Sequence, residues 1–269
     1  MKRLALLLLA GVLTAADAPS YQSSPPRRSV VETRDWGPWG GSFRAKLVPA
    51  LMQDFGERYM YAAANAALPP PAKGEQRVVF LGDSITDLWD LSRAFPGKAY
   101  VNRGIGAQAT AQMLVRLEAD VVALKPAAVV ILAGTNDVTG FLQVETPASI
   151  VANITAMADI ADARGIRVIL TSILPVNDYT ENARHVPIER PPATLRAINA
   201  GLRTLARKRG YAYADYAAVT TDARGMLAAH LTADGLHPNA AGYARMAPIA
   251  SAAIARSLAA PSPRHRSGE

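Results

Sequence analysis

Apolar and polar positions alternate in blocks along most of the chain. Val78-Val79-Phe80-Leu81 is a short and wholly apolar run, which predicts a strand buried on both faces. Ala99–Asn102, Ala128–Leu132, Arg167–Thr171 and Tyr211–Asp215 are further runs of strand length. Between them lie longer segments with helical spacing. These are Thr110–Leu124, stopped near Pro126; Pro147–Arg164, stopped by Gly165; Ala193–Arg209, ended by Gly210; and Asn239–Leu258. Leu88–Phe95 reads as a helical turn or two, and 175–192 as a long polar loop containing prolines. Upstream, 43–67 predicts one helix, because Leu47, Leu51, Phe55 and Tyr59 recur four apart, and Pro69-Pro70-Pro71 ends it. Strands alternating with helices imply an α/β domain whose parallel sheet is covered on both faces. No internal repeat is visible.

The two ends read differently. Lys2-Arg3 precede an apolar run, Leu4 to Leu13, and then small residues to Ala18. That order is the pattern of a secretory signal peptide. Ten apolar residues span about 15 Å as a helix, roughly half a bilayer core, so stable membrane insertion is not expected. Residues 1–18 are therefore expected to be a removable leader, cut after Ala15, Ala16 or Ala18. The mature protein would be exported, to the periplasm or the medium. Residues 19–42, rich in Pro, Ser, Arg and Gly, read as a loose arm. Its Trp36 and Trp39 either pack on the body or form an aromatic lip for a substrate. The expected organisation is an arm and helix over 19–76 packed on the body, a catalytic domain over 77–260, and a disordered tail over 261–269.

Composition narrows the chemistry. Half of the 269 residues are hydrophobic, so disorder over the whole length is excluded. There is no cysteine, which removes disulfides, thiolate nucleophiles, cysteine metal sites and a cysteine-linked lipid anchor. The formal charge is +7, but the arginines are scattered and aromatics make up 6%, so no stripe suited to nucleic acid stands out. Only four histidines exist, His185, His230, His237 and His265, so a multi-histidine metal site would have to use most of them.

In a parallel sheet, sites form at the carboxyl ends of the strands. The first strand runs into Gly82-Asp83-Ser84-Ile85-Thr86, where Gly82 would permit a sharp exit. Ser84 then falls near a helix start, where free N–H groups favour negative charge. Taken alone, it is equally a helix cap. Gly134-Thr135-Asn136-Asp137 follows the third strand and offers a side-chain amide, though alone it is an ordinary turn. Asp234-Gly235-Leu236-His237-Pro238-Asn239 puts a carboxylate three residues before an imidazole, within reach in a turn. Together these supply a nucleophile (Ser84), a base (His237), a group that orients the base (Asp234) and an oxyanion donor (Asn136). His185 in the long loop, His230 before the last block and His265 in the tail fit less well.

Those blocks resemble the SGNH hydrolases, also called GDSL-type esterases and lipases. Phe80–Thr86 is similar to the family's first block, with Ile85 where the name has leucine. Val101-Asn102-Arg103-Gly104-Ile105-Gly106-Ala107-Gln108 is similar to the second, Gly134–Asp137 to the third and Asp234–Pro238 to the last. The four occur in family order across about residues 77–258. The resemblance implies a three-layer α/β/α sandwich with a central parallel sheet, flavodoxin-like in type. It also implies serine-based ester hydrolysis without cofactor or metal. The substrates it implies are acyl groups on carbohydrate, small aryl or alkyl esters, lysophospholipids or thioesters. It adds the Ser84 N–H as a second oxyanion donor. The third donor position, usually glycine, is Ala107 here. Alanine keeps the N–H, but a positive φ would oppose its side chain; Gly106 is the neighbouring alternative.

Three other readings compete. An α/β-hydrolase elbow needs Gly-x-Ser-x-Gly, and Thr86 takes the last position. Gly104-Ile105-Gly106-Ala107-Gln108-Ala109 imitates a dinucleotide-binding turn, but the next strand ends without the expected acid. A non-catalytic ligand-binding module would not need Ser84, Asp234 and His237 together. Asn153-Ile154-Thr155 matches a glycosylation acceptor but falls inside an expected helix.

Overall fold

The computed structural model describes residues 49–142 and 145–260. The leader, the arm with Trp36 and Trp39, and the tail from Pro261 lie outside the described residues. Five strands, β1 (Val78–Gly82), β2 (Tyr100–Gly104), β3 (Ala128–Leu132), β4 (Arg167–Thr171) and β5 (Ala212–Ala214), form one sheet. Its order is β2-β1-β3-β4-β5, and every neighbouring pair is parallel. After a helical stretch at 49–53, the α-helices of the described residues are α1 (Tyr59–Ala67), α2 (Ser84–Asp87), α3 (Leu91–Ala94), α4 (Thr110–Asp120), α5 (Pro147–Ala163), α6 (Val186–Glu189), α7 (Pro192–Arg209), α8 (Tyr216–Thr220) and α9 (Ala240–Ala259).

The strands read as unbroken apolar runs because successive side chains enter opposite cores. Val79, Leu81, Val129, Ile131, Val168 and Leu170 pack with Met113 of α4, Ile154 of α5 and Ile198 of α7. Val78, Phe80, Val130, Leu132 and Ile169 face the other way, onto Trp89, Phe95 and the Met246, Ala250 and Ile254 of α9. Each such aliphatic side chain contributes about 1.5–3 kcal/mol by leaving water. The layers are therefore helix, sheet, helix.

Several local expectations change. The helix expected over 43–67 is broken: the chain is helical at 49–53 and again in α1. Between them the Asp54 carboxylate accepts the Tyr59 N–H at 3.2 Å and Arg58 Nε at 3.1 Å, and Glu57 takes φ 52°. A side chain that bonds local backbone competes with the helix ladder. Leu51 is buried, yet Phe55 and Tyr59 are exposed, and α1 buries no residue. Polar contacts hold α1 instead. Tyr61 Oη donates to the Gly104 carbonyl, and Asn65 Nδ2 donates to Asp120 Oδ1 at 2.7 Å. The α4 segment stops at Asp120 and continues as a 3-10 turn, Val122–Leu124. The loop 175–192 contains a 3-10 turn, Glu181–Ala183, and α6, which its prolines hid from the periodicity. The Asn153 sequon lies within α5, where Asn153 Nδ2 donates to Thr110 Oγ1 at 2.9 Å.

Candidate active site

The strand order reverses direction at β1, whose two neighbours are β2 and β3. The carboxyl ends of these three strands frame a crevice. β1 delivers Ser84, β2 the 105–109 loop and β3 Asn136. Gly82 is required for space rather than for a sharp exit: a Cβ there would stand 2.1 Å from Thr86 Oγ1 and 2.8 Å from the Leu132 carbonyl. Asp83 caps α2 through the Ile85 N–H at 2.9 Å. Ser84 is the first residue of that helix, so its own N–H lies outside the intrahelical ladder.

The last block folds into a tight turn ahead of α9. Asn239 caps that helix, accepting the Ala241 and Gly242 N–H groups at 2.9 and 3.1 Å. Gly235 has φ +80°, and a Cβ on it would lie 2.4 Å from the Asn177 carbonyl, so the turn requires glycine. His237 Nε2 lies 2.9 Å from Ser84 Oγ, and His237 Nδ1 lies 2.6 Å from Asp234 Oδ2. Asp234 Oδ1 accepts the Leu236 and His237 N–H groups at 3.0 and 2.8 Å. Partial burial opposes ionisation of Asp234. The His237 side chain and these two backbone donors outweigh it and hold its pKa at about 2. An ionised carboxylate only accepts, so in the neutral ring Nδ1 carries the proton and Nε2 presents a lone pair to the Ser84 hydroxyl.

Two buried carboxylates lie close by. Burial pushes Asp83 up to about 6, against the pull of the Ile85 N–H. Burial also pushes Asp137 up to about 6, against hydrogen bonds from Thr110. Asp137 accepts the Thr110 N–H at 3.0 Å, so a carboxylate already occupies the start of α4. A dinucleotide pyrophosphate would need that same place, and the dinucleotide reading fails there.

Asn136 is buried, with Nδ2 donating to the Gln108 carbonyl at 3.1 Å. Ala107 has φ +63°, the left-handed region that alanine disfavours. Gly106 passes close over the serine: a Cβ on it would stand 4.0 Å from Ser84 Cβ. A groove of about 630 Å³ is lined by Leu88, Trp89 and Arg93 on one segment and by Pro238, Tyr243 and Ala247 on another, next in sequence to His237. His185 and His230 are exposed and have no part in the serine–histidine pair.

Sequence reasoning missed the polar groups behind the site. Arg116 is fully buried and pairs with the equally buried Asp120 at 3.0 Å. It donates to the Gly82 carbonyl at 2.9 Å, the Arg103 carbonyl at 2.9 Å and Gln108 Oε1 at 2.6 Å. A signal existed: Met113, Arg116, Leu117 and Asp120 share the buried face of α4, so two charges interrupt a core stripe. Arg190, buried behind Asn136, gave no such signal.

A family model described as the GDSL-like Lipase/Acylhydrolase family matches residues 80–245. None of the curated proteins matches the chain. Among solved structures, a protein of Bacteroides fragilis provisionally described as an acylhydrolase is 36% identical, with TM-score 0.71, over 76% of this chain and 99% of its own. A GDSL-like lipase of Bacteroides thetaiotaomicron is 34% identical, with TM-score 0.70, over 76% of this chain and 99% of its own. An acetyl xylan esterase of Geobacillus stearothermophilus, solved as a point variant, shares the fold at 21% identity and TM-score 0.55, over 66% of this chain and 94% of its own.

Proposed function

The chain belongs to the GDSL-like lipase/acylhydrolase family and is a hydrolase of ester bonds, and on that premise we propose that it works as a serine esterase through an acyl-enzyme. The observation that carries this reading is the chain of contacts from Ser84 Oγ to His237 Nε2, 2.9 Å, and from Nδ1 to Asp234 Oδ2, 2.6 Å. His237 takes the Ser84 proton as Oγ attacks the ester carbonyl. The carbonyl π pair moves to oxygen, and Asn136 Nδ2 with the N–H groups of Ser84 and Ala107 holds the oxyanion. The oxyanion collapses, the alcohol leaves with the His237 proton, and water repeats the sequence on the acyl-serine.

The substrate we propose is a short acyl ester on a carbohydrate or another small alcohol. The triad lies near the surface, with the Asp234 side chain half exposed, which suits a bulky alcohol better than a deeply threaded acyl chain. The groove past Leu88 supplies room for that alcohol. We also propose, from the leader pattern of residues 1–18, that the enzyme works outside the cytoplasm.

The test is hydrolysis of p-nitrophenyl acetate with fluorophosphonate labelling read by intact mass. Ser84→Ala is expected to abolish labelling and lower kcat roughly 10³-fold or more while the fold is kept. A folded Ser84→Ala enzyme that is still labelled or still turns over would overturn the mechanism. A chain-length series of esters beside acetylated xylan and a lysophospholipid ranks the substrates, and preference for long acyl chains would reject the proposed class.

A further inference from the structure

The esterase reading supplies the frame for one step more: we propose that Arg190 is a positioning residue that orients and polarises the oxyanion-donating amide of Asn136. Both side chains are buried, at 3% and 7% exposure. The two ends of an asparagine amide have nearly the same shape, so the neighbours decide which end points where. The Gln108 carbonyl can only accept, and it takes Asn136 Nδ2 at 3.1 Å. The Arg190 guanidinium can only donate, and its Nη2 faces Asn136 Oδ1 at 3.3 Å. A flipped amide would set carbonyl against carbonyl and N–H against guanidinium in a dry site, at roughly 1–3 kcal/mol for each group left unpaired. One orientation therefore survives. It spends one Nδ2 hydrogen on Gln108 and leaves the other for the substrate oxygen.

The charge adds to the geometry. A cationic donor on Oδ1 draws electron density from the amide and strengthens its remaining N–H as a donor. The two sides of the grip are themselves fixed. Glu189 Oε2 holds Arg190 Nη1 at 2.9 Å. Gln108 is pinned by Arg116 at 2.6 Å on Oε1, and by the Gly56 carbonyl and Glu57 Oε2, each at 3.0 Å, on Nε2. Arg190 Nε is buried without a hydrogen-bond partner among the described residues. Such an arginine costs stability, which points to a use other than holding the fold together.

The experiment is a double-mutant cycle on p-nitrophenyl acetate, using Arg190→Met, Asn136→Ala and the pair, with Arg190→Lys as the conservative variant. Arg190→Met is expected to lower kcat roughly 10²-fold with KM changed by no more than about threefold, as for an impaired oxyanion donor. Arg190→Lys should lose less. In the Asn136→Ala background, Arg190→Met should cost less than about threefold, because the group it acts through is gone. If Arg190→Met does not fold, the cycle is run with Arg190→Lys, and guanidinium chloride added to Arg190→Ala should restore part of kcat. Losses that multiply fully across the cycle, or near-normal kcat in a folded Arg190 variant, would overturn the proposal. A wild type without Ser84-dependent hydrolysis would overturn the esterase reading, and this inference with it.

Discussion

Ala107 holds a backbone conformation that its own side chain opposes. At φ +63° its Cβ crowds the following carbonyl oxygen, a cost of about 1–2 kcal/mol that glycine escapes. Glycine in turn gives up about 0.4–1 kcal/mol more chain entropy on folding than alanine. The difference leaves Ala107→Gly more stable by up to about 1.6 kcal/mol, or up to roughly 6 °C in Tm for a domain of this size. Ala107→Val adds a second branch at the same angle and should lower Tm. Both variants keep the N–H, so kcat on an aryl acetate should stay within a few-fold of wild type. Proline is the wrong probe here. Its φ near −65° cannot follow the loop, so Ala107→Pro would rearrange the backbone as well as remove the donor. An amide-to-ester replacement at position 107 removes the N–H alone and should lower kcat roughly 10²–10³-fold. Calorimetry and steady-state kinetics on the three proteins check both halves of the argument. A valine variant as stable as wild type would refute the positive φ, and an ester variant with normal kcat would refute the donor.

Asp234→Asn should lower kcat at neutral pH roughly 10⁴-fold, because an amide does not enforce the tautomer that frees Nε2. The carboxylate's depressed pKa means that its stabilisation is present above pH 4 and is lost as pH falls toward 2. Wild type should therefore destabilise more steeply than Asp234→Asn across that window in acid unfolding; parallel curves would show that the carboxylate is not held. Asp83 has the opposite sign. Its pKa rises from 3.8 to about 6, so the folded state favours the protonated form and is penalised as pH climbs through that range. Asp83→Asn should raise Tm at pH 7.5, by an increment worth at most about 3 kcal/mol at 1.36 kcal/mol per pH unit, and the gain should vanish near pH 4. A gain that is the same at both pH values would show that burial of charge is not its cause.

The sheet was legible because its strands are covered on both faces. Val78–Leu81 and Ala128–Leu132 read as unbroken apolar runs for the same reason that they are buried. The serine, the Asp–His turn and the Asn136 turn were legible because each follows a short, locally coded segment, and Asp234 reaches His237 within one turn. The broken helix at 54–58 was not, because a four-residue apolar spacing says nothing about an aspartate that bonds its own backbone nearby.

What the sequence determined by itself is therefore the five strands and the longer helices between them, their parallel arrangement and the residue types at the strand ends. Only the tertiary structure decided which strand lies beside which, since periodicity reports burial and not neighbours. It also decided that Gly82 is there for lack of room, and that Ala107 sits at a positive φ. The grip on Asn136 belongs to the same class. Arg190 lies 54 residues downstream, and Gln108 lies 28 residues upstream on a different loop. No local pattern can announce a contact between two side chains and a backbone carbonyl that meet only once the sheet has brought their loops to one edge.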